Sequence, residues 1–192
     1  MICFRHTRYR TPLRTSFQAQ TRPGRYHRGD ELEPTQYLCL HPLGPHAEAL
    51  RFFDARTADD ARALDLRTWA IDVPADGLVE IPYDDAWVAD DYAACQGLAD
   101  TLRAAGHAGA IVPSAALPGT DNVVLFGERA ASPYLVDPLG AVDVPASPSA
   151  EAGRPPLGVL ERVRRLGAPH AALEAWRAGE PFRFREPSWA LR

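Results

Sequence analysis

The chain has 192 residues, which is enough for one domain with a hydrophobic core. Hydrophobic residues make up 46% of it, and no stretch holds the roughly 20 apolar residues that a membrane-spanning helix needs, so we expect no membrane association. The net charge of −4 argues against direct nucleic-acid binding. Residues 1–28 nevertheless carry seven Arg and no acid, and this basic end could attract a phosphate-bearing ligand or, as an alternative, nucleic acid.

The cysteines indicate a reducing compartment. Cys3, Cys39 and Cys95 are odd in number and far apart, and no C-x-x-C occurs. We therefore expect buried thiols rather than disulfides. The N-terminus also lacks the apolar core of a secretory signal, so the predicted location is cytoplasmic.

The N-terminal half of the chain is predicted to mix strands and helices. Residues 1–23 are predicted to be irregular, because proline and glycine interrupt them. In the first predicted helix, Ala47, Leu50 and Phe53 are spaced to face a core. The elements predicted here are a strand over 36–40, a helix over 46–53, a short helix to about residue 64 behind a capping box at Thr57, and a strand over 68–73.

The C-terminal half contains the clearest helical pattern. Cys95, Ala99 and Leu102 recur at helical spacing, and Gly106 would end that helix in a left-handed conformation. The elements predicted here are a helix capped by Asp90 or Asp91 and running through 105, strands over 108–112, 122–126 and 134–136, and helices over 157–166 and 170–178.

These elements lack the regular β-α-β alternation of a doubly wound sheet. The predicted fold class is therefore α+β, built on a bent or split mixed sheet flanked by helices. No G-x-G-x-x-G follows a strand and the chain has no Lys, which excludes the Rossmann and P-loop nucleotide sites. We expect one main domain over 1–140, a Pro/Ala/Ser-rich loop or linker over 141–156, and C-terminal helices and a tail over 157–192 packed on the same domain.

The segment around Arg25 is the first candidate for ligand contact. Gly24 lets the backbone turn tightly before Arg25, and Tyr26 follows. A guanidinium can grip a phosphate through a bidentate pair of charge-assisted hydrogen bonds. Taken alone, an Arg after a Gly is usually just a surface residue.

Tyr37 and Glu48 form the second candidate. Tyr37 lies on the predicted strand and Glu48 in the helix that follows, so a strand–turn–helix unit can point both side chains into one cleft. A carboxylate there could stabilise a positive charge or hold a ribose hydroxyl. The alternative is a solvent-facing Glu that interacts with the helix dipole.

Ser114 and Asn122 lie at the adjoining ends of two consecutive predicted strands. Ser114 follows the end of one strand, where sheets often place ligand contacts, and Asn122 begins the next. The alternatives are a turn serine that satisfies its own backbone and an asparagine that caps a turn. The context of Ser114 is not G-x-S-x-G, so a hydrolase nucleophile is not supported.

A metal site is the competing interpretation of Cys39, His41 and His46. These residues are close in sequence, but their spacing matches no standard zinc pattern. We therefore expect structural roles for them and predict no metal.

Five short segments, in this order and spacing, resemble the RES domain over about residues 4–138. They are Gly24-Arg25-Tyr26, Gln36-Tyr37-Leu38, Glu48, residues 111–115 (Ile-Val-Pro-Ser-Ala) and residues 122–125 (Asn-Val-Val-Leu). The family is named for an Arg, a Glu and a Ser, which are matched by Arg25, Glu48 and Ser114. The chain departs from the family's frequent Gly-Gly-Arg-Trp by having Pro23 and Tyr26 at the outer positions.

The resemblance implies a fold similar to that of ADP-ribosyltransferase toxins and NAD⁺ as substrate. It also implies the toxin half of a bacterial toxin–antitoxin pair, with a helix-turn-helix antitoxin as partner. Members degrade NAD⁺ with water or phosphate as acceptor, or modify a protein. The predicted activity is NAD⁺ glycohydrolase or phosphorylase. Protein ADP-ribosyltransferase and a non-catalytic RES-like binding module are the alternatives.

The resemblance also assigns roles to individual residues. Glu48, Arg25 and Ser114 are the predicted catalytic set. Glu48 would stabilise the oxocarbenium-like cation that forms when nicotinamide leaves ribose. The predicted NAD⁺ contacts are Arg25 at the pyrophosphate or the adjoining ribose, Tyr26 beside it, Tyr37 stacked on nicotinamide or closing over it, Ser114 at the nicotinamide ribose or amide, and Asn122 at a phosphate or behind these groups.

Overall fold

The computed structural model describes residues 1–7, 22–29, 33–64, 67–127, 159–160, 162–170 and 178. Six strands and four helices lie in these ranges. In chain order they are β1 (Ile2–Thr7), β2 (Thr35–Cys39), α1 (Gly44–Phe52), α2 (Ala58–Ala63), β3 (Arg67–Asp72), β4 (Leu78–Glu80), α3 (Asp85–Val88), α4 (Ala93–Ala104), β5 (Gly109–Pro113) and β6 (Asp121–Phe126).

The six strands form one mixed sheet in the order β3-β1-β2-β6-β5-β4. All neighbours are antiparallel except β4 and β5, which are parallel. β1 and β2 are in register at Phe4 and Cys39, whereas β2 pairs with β6 from Thr35 to Cys39. The narrow β1–β2 junction divides the sheet into a two-stranded and a four-stranded part. This confirms the predicted α+β fold with a mixed sheet and flanking helices.

One face of the sheet carries several of the predicted site residues. Residues directly opposite each other on neighbouring strands share a face. Tyr37 therefore lies on the same face as Val124 and Ala110, and Asn122, two residues before Val124, is on that face too. We call it the site face. Part of it is covered by the buried side of α4, which confirms the predicted core positions Cys95, Ala99 and Leu102.

Helix α1 packs against residues near Val159 and Val163, in the C-terminal part of the sequence. Leu43, Ala47 and Leu50 are buried in a cluster that also contains Val159 and Val163. We call the described residues 159–160 and 162–170 the C-terminal segment. Its residues 162–166 form turns and irregular chain, so the helix predicted over 157–166 is wrong there. The predicted helix 170–178 and strand 134–136, and the loop 141–156, lie outside the described residues apart from 170 and 178.

Other sequence-based predictions also need correction. Residues 2–7 were expected to be irregular but form β1, which pairs with β3 over its whole length. The residues of β3 that pair with β1 are 60 or more residues away in the sequence, so the nearby prolines and glycines could not reveal this pairing. Phe53, expected in the core, is 40% exposed. Among the described residues, no helix is long and apolar enough to span a membrane.

Candidate active site

The segment Gly24–His27, which we call the Arg25 loop, is a tight turn closed on itself. The amide of Gly24 donates to the carbonyl of His27 at 3.0 Å, and the reverse bond measures 3.4 Å. A Cβ added at Gly24 would lie 2.2 Å from Cε1 of His27 and 2.9 Å from the hydroxyl of Tyr37. The turn therefore needs glycine at this position because no room exists for a side chain.

The hydroxyl of Tyr37 fastens the Arg25 loop to β2. It accepts a hydrogen bond from the amide of Tyr26 at 2.9 Å and lies 2.7 Å from Nδ1 of His27. Nε2 of His27 lies 2.9 Å from the carbonyl of Arg22. Because a carbonyl only accepts, Nε2 carries a proton, and in the neutral imidazole the Tyr37 hydroxyl then donates to Nδ1. The polar end of Tyr37 is thus committed to shaping the loop.

The guanidinium of Arg25 reaches across to the end of α3. Nη1 donates to the carbonyls of Ala89 at 2.5 Å and Trp87 at 3.3 Å, and the group lies 4.8 Å from the centre of the Tyr92 ring. Among the described residues, the hydrogen bonds of this guanidinium all leave from Nη1. Nε and Nη2 therefore remain available as donors for an anionic ligand.

Glu48 and Asn122 are in direct contact. Nδ2 of Asn122 donates to Oε1 of Glu48 at 2.9 Å. A carboxylate only accepts, which fixes the orientation of the Asn122 amide. Its Oδ1 is buried and has no hydrogen-bond partner among the described residues. Because Asn122 and Tyr37 share the site face, the structure brings Glu48, Asn122, Tyr37 and the Arg25 loop to one side of the sheet.

Ser114 lies just beyond β5 and is fully buried. Its Oγ accepts a hydrogen bond from the amide of Leu117 at 3.1 Å, and its own amide donates to the carbonyl of Thr120 at 2.9 Å. Its carbonyl accepts from Nε2 of His170 at 2.8 Å. The side chain therefore holds the turn after β5, next to the strand that carries Asn122. Its predicted contact with the ribose or amide stays a prediction.

Tyr26 is placed differently from Arg25 although the two are adjacent. Its side chain is only 2% exposed and packs with Cys95 and Ala99 beneath α4. Burial, with a smaller contribution from Cys95, raises the pKa of this phenol, so it stays neutral. The side chain anchors the Arg25 loop in the core, and its predicted contact with NAD⁺ stays a prediction.

Sequence reasoning missed a charged cluster beside the Arg25 loop. Oδ1 of Asp90 accepts from Arg51 at 2.6 Å and from Arg164 at 3.0 Å, and its Oδ2 accepts from the amide of Gly167 at 2.5 Å. The N-cap of α4 is Tyr92, so neither Asp90 nor Asp91 occupies the predicted capping position, although Asp91 accepts a hydrogen bond from the amide of Ala93. No local pattern marks Asp90 as the partner of arginines 39 and 74 residues away.

The electrostatics of this cluster favour an anion. Burial raises the pKa of Asp90, but the Gly167 amide and the charges of Arg51 and Arg164 outweigh it, so the net pKa is lowered. The pKa of Arg164 is lowered by burial first and then by Arg51, with Arg25 contributing. Arg25 is therefore close enough to add its charge to the group. Two guanidiniums bind the carboxylate of Asp90 and a third, that of Arg25, lies near them, which leaves excess positive charge beside the site.

The residues of the metal alternative have structural roles. Nδ1 of His41 accepts from the amide of Leu43 at 3.1 Å, and a Cβ at Gly44 would lie 2.9 Å from Sγ of Cys39. His46 is buried, and desolvation together with the charge of His6 lowers its pKa to about 3. Within the part of the chain that the structure describes, no three His, Cys, Asp or Glu residues come together to hold a metal.

Comparison with known proteins identifies the family. The sequence model of the RES domain matches residues 2–147, so the chain belongs to the RES-domain family. No curated protein matches the sequence.

The fold is similar to that of a chain in the crystal structure of the Mycobacterium tuberculosis MbcT–MbcA toxin–antitoxin complex. The TM-score is 0.57 at 22% identity, covering 72% of this chain and 82% of the other. At this identity the likeness shows a shared fold. The C-terminal segment lies beyond the residues that the family matches.

Proposed function

We propose that this chain cleaves the bond between nicotinamide and ribose in NAD⁺, with water or phosphate as acceptor, and serves as the toxin of a toxin–antitoxin pair. Membership in the RES-domain family supports the proposal. The observation that carries it is the 2.9 Å contact between Asn122 and Glu48 on the face that also holds the Arg25 loop. A fixed carboxylate and a guanidinium with unused donors match the cation and the pyrophosphate of such a substrate.

Glu48 is the residue that would lower the barrier. Departure of nicotinamide leaves a positive charge shared between the ribose carbon and its ring oxygen. Among the described residues, Glu48 accepts one hydrogen bond, at Oε1 from Asn122, so Oε2 can face the ribose. A carboxylate that is already oriented stabilises the developing cation without first reorganising.

Arg25 and Asn122 would bind and orient the dinucleotide. Nε and Nη2 of Arg25 can donate to the pyrophosphate, and the positive charge of Arg51 and Arg164 nearby adds to the attraction. A buried acceptor without a partner costs about 1–3 kcal/mol, so Oδ1 of Asn122 favours a ligand that brings a hydroxyl or amide N–H. Both groups are found on NAD⁺.

The contacts that the hydroxyls of Tyr37 and Ser114 already make limit how each residue would meet the ligand. The hydroxyl of Tyr37 is bonded to the Arg25 loop, so its ring is the part that can stack on nicotinamide. Oγ of Ser114 already accepts from the Leu117 amide. Its remaining O–H can donate to a ribose or amide oxygen, which is the orienting role we assign to it.

The test incubates the purified protein with NAD⁺ in the presence and absence of phosphate and separates the products. Free nicotinamide with ADP-ribose supports hydrolysis, and nicotinamide with phosphorylated ADP-ribose supports phosphorolysis. Label from NAD⁺ on a protein would instead indicate ADP-ribosyl transfer. Tight NAD⁺ binding without turnover would indicate a binding module. Absence of binding and turnover would overturn the proposal.

The partner is proposed to be a helix-turn-helix antitoxin that binds over the site, and both proteins are proposed to act in the cytoplasm. The similar chain comes from a toxin–antitoxin complex, which supports this assignment. Expression of this chain alone should arrest growth, and co-expression of the product of a neighbouring small reading frame should restore it. Normal growth with the chain alone, at a level that gives detectable protein, would contradict a toxin role.

A further inference from the structure

We propose that Asp90 is a positioning residue for Arg25, and that it acts by tying the C-terminal segment to the end of α3. This inference rests on the proposed function for its kinetic consequence, since Arg25 is the proposed pyrophosphate ligand. Its structural part stands on contacts alone. Within the described part of the chain, the side-chain hydrogen bonds of Asp90, Arg51 and Arg164 go to none of the residues proposed to contact NAD⁺.

The end of α3 supplies the acceptors that orient Arg25. A helix leaves its last carbonyls without partners inside the helix, and these carry partial negative charge. Arg25 takes the carbonyls of Trp87 and Ala89, and Arg164 takes the carbonyl of Val88, between them, at 3.0 Å. The position of the Arg25 guanidinium is therefore set by where residues 87–89 lie.

Asp90 fixes this short stretch from its other side. Its carboxylate binds Arg51 of α1 and both Arg164 and the Gly167 amide of the C-terminal segment, so two distant parts of the chain meet at a residue just after α3. The side chains of Arg51 and Arg164 are only 7% and 8% exposed. Removing a partner from such buried charges is costly because the remaining charges are not solvated by water.

Arg51 completes the connection to the C-terminal segment. Its Nη1 donates to the carbonyls of Arg164 at 2.8 Å and Ala115 at 3.2 Å. Arg51 also lies one helical turn after Glu48 on α1. The C-terminal segment, which the family match does not include, is thereby joined to both helices that flank the site.

Cys95 provides a readout that does not depend on NAD⁺. Its thiol is fully buried, with Sγ 3.4 Å from the carbonyl of Trp87 and 3.7 Å from that of Ala86. If residues 86–90 become loose, a thiol reagent will reach Cys95 sooner. Cys95 belongs to α4, whereas the buried Cys3 and Cys39 lie on β1 and β2, so these two report general unfolding.

The experiment compares Asp90→Asn, Arg164→Lys and the control Asp54→Asn by maleimide labelling, resolved by peptide mass, and by NAD⁺ kinetics. Asp54 pairs with Arg56 on the surface, so its substitution removes the same charge from an exposed ion pair. Asp90→Asn should raise the labelling rate of Cys95 alone and raise KM for NAD⁺, each by ~10-fold, with kcat within ~3-fold of wild type. Arg164→Lys keeps the charge but loses the planar fork, so it should show a smaller change in the same direction.

Unchanged labelling of Cys95 in both variants would overturn the proposal. Equally faster labelling of all three cysteines would also overturn it, because Asp90 would then contribute to the stability of the whole domain. A fall in kcat at constant KM would also overturn it, because Arg25 is proposed to bind rather than react. If the wild-type protein releases no nicotinamide, the proposed function fails, whereas the cysteine labelling still decides whether Asp90 positions the end of α3.

Discussion

Substitution of Tyr37 by Phe should loosen the Arg25 loop while leaving the ring in place. The hydroxyl receives the amide of Tyr26 and donates to Nδ1 of His27, so two hydrogen bonds are lost. Each is worth ~1 kcal/mol net, and the Tyr26 amide left without a partner adds up to ~2 kcal/mol. We expect the free energy of unfolding to fall by ~2–4 kcal/mol.

The kinetic effect follows from the same contact. Without the hydroxyl, the backbone that carries Arg25 is less firmly held, so the guanidinium is less well oriented and the KM for NAD⁺ should rise by ~10-fold, which corresponds to ~1.4 kcal/mol of binding. The assays are urea unfolding and initial rates of nicotinamide release.

Tyr83→Phe is the matched control, because its hydroxyl donates to the carbonyl of Thr120, at 3.0 Å, and has no contact with the Arg25 loop among the described residues. It should cost ~1 kcal/mol of stability and leave KM unchanged. Stability and KM in Tyr37→Phe that equal those of the control would refute this account of the loop.

Two further predictions concern the loop glycine and the buried histidine. Gly24→Ala should lower kcat/KM by at least ~10-fold, because misplacing a binding group by 1 Å can cost ~100-fold in rate. The control Gly97→Ala should keep full activity, since nothing lies within 4 Å of the added carbon. Equal activity of the two variants would contradict the tight turn at Gly24. His46 has a pKa of about 3 in the folded chain against 6.5 when exposed, so folding favours its neutral form. The free energy of unfolding should therefore fall as the pH drops below about 6.5, approaching a loss of ~1.4 kcal/mol per pH unit. Urea unfolding of His46→Gln at several pH values should show a weaker dependence on pH. The same pH dependence in the variant and the wild type would contradict a buried, neutral His46.

The sequence predicts those features that are encoded locally. Helix α4 has a regular apolar spacing, and Gly106, which follows its C-terminal end, has a φ of +78°. The capping box before α2 is also present, with Thr57 and Asp60 bonded to each other's amides. In both cases the residues that specify the structure are within a few positions of one another, so a pattern in the sequence is enough.

Features that depend on distant partners escape such reasoning. β1 is stabilised by pairing with β3, and Asp90 by arginines from α1 and the C-terminal segment. β4 and α3 are three and four residues long, too short to show a period. Ser114 lies beside the strand of Asn122, and the bond from the Leu117 amide to its Oγ is the turn role that the sequence offered as the alternative to a ligand contact.

The central claim is that Glu48 stabilises the cation formed when nicotinamide leaves. The most direct measurement is nicotinamide release from NAD⁺ by the wild-type protein and by Glu48→Gln, with folding of both checked by circular dichroism. Gln keeps the size of the side chain and can still bond to Asn122, but it carries no charge. We expect Glu48→Gln to bind NAD⁺ and to release nicotinamide at least ~100-fold more slowly. Equal rates for the two proteins, or no release by the wild type, would contradict the account.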